Sequence, residues 1–231
     1  MKKYKIGILA LAALGLGSTG ASAATIDLFE YAFNVDGAVT NGSAPAGVSL
    51  AGFNTDTGLG TISFSTSVDG AHSFLAFFDH EIDETINTFF NEYGATSGSA
   101  VAGQSWEIDE PGYVYGDIYT NFEAGSLDNS NGVPAGSEDD VSMAMGWDFF
   151  LAADETATIT LTLSETAPQN GFYLAHYDSS ATGALPPSIY LYSNLNIQGG
   201  GTPVPEPATM LLMATGLTGL LGARVRRKIK K

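Results

Sequence analysis

Residues 156–164 read TATITLTLS, and every second residue of this stretch is apolar. In an extended chain the apolar residues from Ala157 to Leu163 lie on one side, and the threonines lie on the other. A period of two with one polar side is typical of an antiparallel sheet that has one face in the core and one in water. The stretch therefore predicts a half-buried β-strand.

The same alternation recurs at 61–68 and at 189–197, and turn residues separate these stretches from the rest. Six further strands are predicted, at 26–33, 73–79, 104–109, 113–120, 141–151 and 171–177. This pattern favours an all-β protein, an antiparallel two-sheet sandwich of the jelly-roll or Ig-like kind. Apolar residues at helical spacing predict one short helix near 82–93, with Gly94 as its C-cap.

Charge is distributed unevenly along the 231 residues. The chain has 25 acidic and 9 basic residues, for a net charge of −16, and no Lys or Arg lies between Lys5 and Arg224. Nucleic-acid binding needs clustered Lys and Arg, so this distribution excludes nucleic acid as a partner of the middle of the chain. Cysteine is absent, which excludes disulfides, thiolate metal sites and cysteine catalysis.

The N-terminus has the features of a signal peptide at residues 1–23. Three lysines precede a short apolar run, and Ala21-Ser22-Ala23 supplies the small residues that a signal peptidase accepts. We expect cleavage between Ala23 and Ala24. The alternative, an N-terminal membrane anchor, is disfavoured because the run is shorter than the ~20 residues that span a bilayer.

The C-terminus has three parts. A linker at 198–207 ends in Val204-Pro205-Glu206-Pro207, and an uncharged, mostly apolar segment at 208–223 predicts a transmembrane helix. A basic tail at 224–231 follows. Basic clusters stay on the cytoplasmic side, so the tail is expected to hold this end inside and to leave the preceding domain outside. The retaining residues are Arg224, Arg226, Arg227 and Lys228.

These three parts together resemble a PEP-CTERM sorting signal, over about 30 residues of the chain. The resemblance implies a Gram-negative envelope, export by the Sec route, transient anchoring in the inner membrane and processing by an exosortase. It also implies release to the cell surface or extracellular matrix, often with exopolysaccharide. The remaining exported domain, residues 24–197, is assigned to no characterised family by its sequence.

Few residues of the exported domain form a catalytic motif. His80-Glu81 begins like the zinc-protease motif HExxH, but the fifth position is Glu84 and the second histidine is missing. There is no Gly-x-Ser-x-Gly elbow and no lysine for Ser-Lys or Schiff-base chemistry. We therefore expect no enzymatic activity. A secreted hydrolase with two well-placed carboxylates is the less favoured alternative.

Acidic clusters raise a calcium hypothesis, because calcium prefers six to eight oxygen ligands in a flexible setting. The predicted ligands share one long loop: Asp128, Asn131, Glu138, Asp139 and Asp140. A second cluster is Asp79, Glu81, Asp83 and Glu84, which we interpret as a solvated turn and helix N-terminus. A soluble acidic surface without metal is the favoured interpretation of both clusters, so no cofactor is predicted beyond calcium.

A glycan-binding hypothesis rests on tyrosines. In the predicted strand 113–120, Val114 and Ile118 would point inward, and the opposite face would carry Tyr113, Tyr115, Asp117 and Tyr119. Tyr190 and Tyr192 lie on the polar side of their own strand. Aromatic rings stack on sugar faces, and phenols and carboxylates hydrogen-bond to sugar hydroxyls. Core or cross-strand packing is the alternative role for these tyrosines.

Three functions remain after these exclusions. The first is a structural protein of the cell surface or of an exopolysaccharide or biofilm matrix, and it is the favoured one. The second is a glycan-binding or adhesive module, with or without calcium. The third is a secreted hydrolase.

Overall fold

A computed structural model describes residues 25–83, 88–112, 114–179 and 187–199 of the chain. The signal peptide, the sorting motif, the predicted transmembrane helix and the basic tail lie outside these residues. Among the described residues, no helix is both long and apolar enough to cross a membrane. The strands, in chain order, are β1 (Ile26–Val35), β2 (Ala38–Asn41), β3 (Val48–Phe53), β4 (Gly60–Thr66), β5 (Gly70–Ile82), β6 (Glu92–Ser97), β7 (Gln104–Asp109), β8 (Ser142–Leu151), β9 (Glu155–Ser164), β10 (Tyr173–Asp178) and β11 (Ser188–Gly199).

Within the described residues, these strands form two sheets whose neighbouring strands are all antiparallel. Sheet A has the order β2-β1-β5-β8-β7, and sheet B has the order β3-β4-β9-β11-β10-β6. The predicted all-β, two-sheet architecture is confirmed.

The main core lies between the two sheets. Alternate residues of β9, from Ala157 to Leu163, are buried there, as the sequence pattern predicts. Phe64 of β4 stacks on Phe74 of β5 with ring centroids 4.7 Å apart, so the two sheets meet through aromatic side chains. The threonines of β9 point away from this core and are half-buried, which leaves the outer face of sheet B in contact with water.

The outer face of sheet A is covered by a second apolar cluster. Leu75 and Phe77 of β5 pack there against Ile118 and Phe122 of the helix α1 (Ile118–Ala124). Both faces of β5 are therefore buried, which explains its nearly continuous apolar run FLAFF.

The helix α1 replaces the strand predicted at 113–120, and that prediction is wrong. Gly125, with φ of 70°, terminates α1 in the left-handed conformation, and its N–H bonds back to the last turn. The buried amide of Asn34 in β1 donates hydrogen bonds to the carbonyl oxygens of Phe122 and Glu123, at 2.8 and 3.2 Å. Tertiary contacts from β1 thus stabilise a helix of only two turns, whose local sequence favoured a strand.

Residues 84–87 of the helix predicted near 82–93 lie outside the described residues, and the described part of that range is not α-helical. Ile82 ends β5, Phe89–Asn91 form a single 3-10 turn, and β6 begins at Glu92. The sequence patterns also missed β2, β3 and β6. These strands are short or rich in small residues, and β3 contains a register shift between Ser49 and Gly52, so none shows a long alternation.

Truncation of Phe122 tests the packing of α1 on sheet A. Phe122→Ala leaves a cavity beneath the helix and is expected to lower the free energy of unfolding by about 3–5 kcal/mol. The measurement is equilibrium urea unfolding of the purified protein. Phe150→Ala is the matched control, since Phe150 is largely exposed on β8, and it should change stability by less than about 0.5 kcal/mol. Equal losses for both variants would contradict this packing.

Candidate functional site

A pocket of about 390 Å³ lies at the end of β5, on the side of sheet A that carries α1. We call it the acidic pocket. It is lined by Phe29, Asp79, Glu81, Phe89, Phe90, Glu110, Pro111, Val114, Tyr115, Asp139 and Asp140. Five of these residues are carboxylates and the other six are apolar or aromatic, so the pocket combines an acidic floor with an apolar rim.

The floor is built by two strands. Asp79 and Glu81 follow Phe77 at a spacing of two along β5, so they face the same side of sheet A, and both are buried. Asp140 comes just before β8, where Ser142 pairs with Asp79 and donates a hydrogen bond from its Oγ to Asp79 Oδ1 at 2.9 Å. One carboxylate oxygen from each of Asp79, Glu81 and Asp140 lies within 4.8 Å of the others.

Close carboxylates without a basic neighbour hold protons tightly. Burial, and then the negative charge of Asp140, raise the pKa of Asp79 from 3.8 to about 8. Burial, and then the charge of Glu92, raise the pKa of Asp140 from 3.8 to about 6. Because both pKa values are raised, the floor keeps a proton at a higher pH than isolated carboxylates would. It offers a hydrogen-bond donor and several acceptors to a ligand.

The rim exposes large apolar side chains to solvent. The exposed fractions are 66% for Phe29, 60% for Phe90, 80% for Val114 and 69% for Tyr115. Over the described part of the chain, nine large apolar side chains are exposed, and these four all line the one pocket. Exposed apolar side chains collected around a concave site mark a binding surface rather than random exposure.

Behind the floor lies a buried pair between the sheets. His176 Nε2 of β10 is 2.7 Å from Glu92 Oε2 of β6, and both side chains are inaccessible to solvent. Glu92 Oε1 also accepts the backbone N–H of Ile82 at 3.0 Å. This pair ties the end of β5 to sheet B and so fixes the strand that carries Asp79 and Glu81.

The His80-Glu81 dipeptide does not form a metal site of the HExxH kind. That motif needs a helix, whereas His80 and Glu81 are successive residues of β5 and face opposite sides of sheet A. His80 lies in the core, with Nε2 3.2 Å from the carbonyl oxygen of Gly58, and Glu81 lines the acidic pocket.

The predicted glycan-binding residues do not share a face. Tyr113 lies outside the described residues, and Tyr115 is on the rim of the acidic pocket. Asp117 precedes α1 and donates its backbone N–H to Asp109 Oδ2. The hydroxyl of Tyr119 accepts a hydrogen bond from Asn41 Nδ2 at 2.8 Å, and its ring packs on sheet A. These residues do not share one face because the described part of 113–120 is a loop followed by the start of α1 and not a strand.

The inward direction predicted for Val114 is wrong as well. Val114 is one of the most exposed apolar side chains, whereas Ile118 is buried beneath α1 as predicted. Packing beneath α1 fixes the direction of Ile118, and Val114 lies in the loop before that helix.

The predicted calcium ligands divide between two carboxylate groups. Asp128 groups with Glu107 and Asp117, whereas Asp140 groups with Asp79 and Glu81. Asn131 is used structurally, because its Nδ2 donates to the carbonyl oxygen of Gly94 and its Oδ1 accepts from Val133. The remaining two predicted ligands are Glu138, which accepts the N–H of Gly136, and Asp139, which lines the acidic pocket.

The Glu107 group is satisfied within the protein. Burial raises the pKa of Glu107 from 4.5 to about 7. Its Oε1 accepts a hydrogen bond from Asn121 and its Oε2 accepts one from the backbone of Asp128. We therefore interpret this group as structural, since it connects β7 to α1 and to the following loop.

Sequence reasoning misplaced the central residues of the pocket. Asp79 and Glu81 are buried in β5 and do not form the solvated turn that the sequence predicts. The sequence did contain a signal for the pocket, the polar residues Asp79, His80 and Glu81 within the apolar run FLAFFDHEI. Carboxylates within an otherwise buried strand need a specific environment. Phe29 and Phe90 carried no signal, since nothing local distinguishes an exposed aromatic residue from a core one.

The raised pKa of Asp79 predicts a pH dependence of stability. Between 3.8 and about 8 the folded state keeps a proton that the unfolded state releases, so this group lowers stability as the pH rises through that range. Asp79→Asn should match the wild type near pH 4. Near pH 9 it should exceed the wild type by at least about 1 kcal/mol, the value of one pKa unit. Urea unfolding in the presence of a chelator measures the free energy of unfolding of the variant and of the wild type at each pH.

Asp148→Asn is the matched control for that comparison, because Asp148 is exposed on β8. It should follow the wild-type curve at both pH values. A constant difference between Asp79→Asn and the wild type across the range would show that Asp79 ionises normally and would contradict the arrangement of the floor.

Comparison with known proteins adds information about the C-terminus. Residues 203–228 match the family model of the PEP-CTERM protein-sorting motif, a range that contains Val204, Pro205, Glu206 and Pro207 and the basic residues from Arg224 to Lys228. No curated protein and no solved structure matches the chain.

The motif identifies the route of the chain. It implies export, membrane-associated sorting with processing by an exosortase, and then delivery to the cell surface. It does not extend to the central domain, which carries the acidic pocket. The chain carries a PEP-CTERM sorting motif, which supports an extracellular protein sorted by an exosortase, and its central domain is unassigned.

Proposed function

We propose that the exported domain is a glycan-binding, adhesive module of the cell surface or extracellular matrix, with the acidic pocket as its ligand site. The observation that carries the proposal is the combination of an apolar rim and a carboxylate floor in one concavity. A structural role in an exopolysaccharide or biofilm matrix agrees with this module, because a protein must hold polysaccharide to organise it.

A sugar ring matches both parts of the acidic pocket. Its C–H faces are apolar enough to contact Phe90 and Tyr115, and its hydroxyls can donate to carboxylate oxygens of the floor and accept from the proton that the floor holds. An anionic sugar would meet five carboxylates, with no lysine or arginine in the domain to offset them. The proposed ligand is therefore a glycan whose bound residue is uncharged.

We propose binding rather than catalysis at this site. Glycosidases place two carboxyl groups about 5–5.5 Å or about 6.5–9.5 Å apart on either side of the scissile bond. One oxygen from each of the three floor carboxylates lies within 4.8 Å of the others, an arrangement that suits a shared proton or a shared ligand. The raised pKa of Asp79 is the feature that would favour a hydrolase.

The setting proposed for this module is a Gram-negative bacterium. We expect a signal peptidase to remove residues 1–23 after export by the Sec route, and an exosortase to process the chain at the inner membrane. The exopolysaccharide matrix then supplies the ligand.

Variants of the pocket test glycan binding. Wild-type protein should be retarded in native gels that contain the matrix polysaccharide of the host, and Tyr115→Ala and Asp140→Asn should each lose roughly tenfold in affinity, the equivalent of one lost stacking or charged hydrogen-bond contact. Phe150→Ala, another exposed aromatic truncation, should bind like the wild type. Pocket variants that bind normally would contradict the proposed site.

The same incubation separates binding from hydrolysis. A binding module leaves the molar mass of the polysaccharide unchanged over a day at 25 °C. Accumulation of reducing ends with the wild type, absent with Asp79→Asn, would replace the adhesive module with a hydrolase.

Calcium is proposed as an additional ligand of the floor. Asp79, Glu81 and Asp140 offer clustered oxygens, and the buried Oδ1 of Asp140 has no hydrogen-bond partner among the described residues. In millimolar calcium the wild-type Tm should rise by several degrees relative to chelator, as for any ligand that binds only the folded state. Asp140→Asn should abolish the rise, and Asp128→Asn should not. An unchanged wild-type Tm would remove calcium from the proposal.

A further inference from the structure

The outer face of sheet B differs in charge from the rest of the domain. Its side chains alternate with the buried core residues of β4, β6, β9, β10 and β11. We call it the uncharged face, and it consists of Thr61, Ser63, Ser65, Tyr93, Ala95, Thr156, Thr158, Thr160, Thr162, Ser164, Tyr173, Ala175, Tyr177, Tyr190, Tyr192, Asn194 and Asn196. None of these is acidic, although residues 24–205 contain 24 carboxylates, the 25 of the chain less Glu206.

One half of this face is a cluster of tyrosines on β6, β10 and β11. The rings of Tyr93 and Tyr177 are stacked with centroids 5.1 Å apart. Tyr190 meets Tyr177 and Tyr173 nearly at right angles, at 6.1 and 5.6 Å. Tyr190 is paired with Ala175, a small buried residue between the two tyrosines of β10. The rings are therefore held in place by one another before any ligand binds, so little side-chain entropy remains to be lost.

The other half is a regular array of hydroxyls and amides. Thr162 of β9 pairs with Thr61 on one side and with Tyr192 on the other. Thr160 pairs in the same way with Ser63 and Asn194. Neighbouring groups are about 4.8 Å apart across the strands and about 6.8 Å apart along them. The array thus repeats donors and acceptors over the width of three strands.

The composition of the face indicates a binding surface. Tyr, Ser, Thr and Asn supply rigid contact area and adaptable hydrogen bonds, and charged residues are depleted at the centres of interfaces. Of the carboxylates in these strands, Glu92 and Asp178 are turned inward and buried, and the half-buried Glu155 lies at the first position of β9, at the margin of the face.

Charge decides between the partners that could cover such a face. A second copy of the chain would bring two domains of 24 carboxylates each into contact, and an acidic protein or polyanion would be repelled likewise. A basic protein would be drawn to the carboxylates elsewhere on the domain. An uncharged polymer is neither repelled by the carboxylates nor attracted to those outside the face. If it is a polysaccharide, its repeating hydroxyls can hydrogen-bond to the repeating hydroxyls of the face.

We infer that the uncharged face of sheet B is a docking surface for an extended, uncharged polysaccharide. Sugar rings contact the tyrosine cluster, and successive hydroxyls hydrogen-bond to the rows of Thr, Ser and Asn. This inference goes beyond the proposed function, because it assigns a second site, and it rests on that function only in placing the domain among polysaccharides. The acidic pocket lies on the α1 side of sheet A, so the two sites face opposite ways and one domain can bridge two glycan chains.

The test introduces a charge into the face without disturbing the core. Wild-type protein should sediment with microcrystalline cellulose, or be retarded in gels containing dextran, and should not be retarded by alginate, an anionic polymer. Thr160→Asp places a carboxylate at the centre of the array and should weaken retention by the neutral polymer roughly tenfold, because the charge must be desolvated by an uncharged ligand. Tyr192→Ala should weaken it as well.

Two further variants serve as controls. Thr40→Asp makes the same change at a half-buried threonine of β2, on sheet A, and should bind like the wild type. Thr160→Ser keeps the hydroxyl and should also retain binding. Thermal unfolding monitored by circular dichroism verifies that each variant is folded.

The outcomes separate this site from the acidic pocket. If Thr160→Asp loses binding to the neutral polymer and Asp140→Asn retains it, the result supports the uncharged face as the docking surface. Normal binding of neutral polymers by Thr160→Asp, or no binding of them by a wild type that still binds matrix polysaccharide through its pocket, overturns it and leaves the proposed function standing. A wild-type dimer that Thr160→Asp dissociates in sedimentation would assign the face to self-association instead.

Discussion

The exported domain buries several carboxylates although no lysine or arginine lies between Lys5 and Arg224. A buried carboxylate without a compensating partner is unfavourable, so each needs a hydrogen-bond donor, a histidine or a proton. Glu92 lies against His176 and accepts the N–H of Ile82. Glu107 accepts hydrogen bonds from Asn121 and from the backbone of Asp128. These contacts join strands of different sheets, or a strand to α1, so the acid groups help to fix the architecture.

Asp79 is compensated by one side-chain donor and by a proton, which its raised pKa retains. Its one assigned side-chain donor is Ser142 Oγ, and burial raises its pKa to about 8. Glu81 and Asp140 are its neighbours, and the three open onto the acidic pocket. Because no basic residue neutralises the floor, burial of its carboxylates is unfavourable for folding. For the same reason, their oxygens can accept hydrogen bonds from a ligand. The pocket thus follows from the composition of the domain as much as from its shape.

The two sheets differ in how they are covered, and this difference separates the two proposed surfaces. The outer face of sheet A is covered where α1 packs against Leu75 and Phe77, and the acidic pocket opens where that cover ends. Sheet B leaves its outer face to water, with tyrosines and hydroxyl-bearing residues on it. The two proposed surfaces thus lie on opposite sides of a domain that its sorting motif directs out of the cell.

The amino-acid sequence by itself determined the route of this protein and the type of its fold. Sorting signals are recognised as linear motifs, and strands such as β9 can be predicted from apolar residues at every second position. Both are therefore local properties of the sequence. Only the tertiary structure decided that 118–124 is helical, because the buried face of sheet A and Asn34, 88 residues before Phe122, stabilise that turn. It alone also brought Asp79, Glu81 and Asp140 into one pocket with Phe29 and Tyr115, since the pairing of strands distant in sequence cannot be read from any single segment.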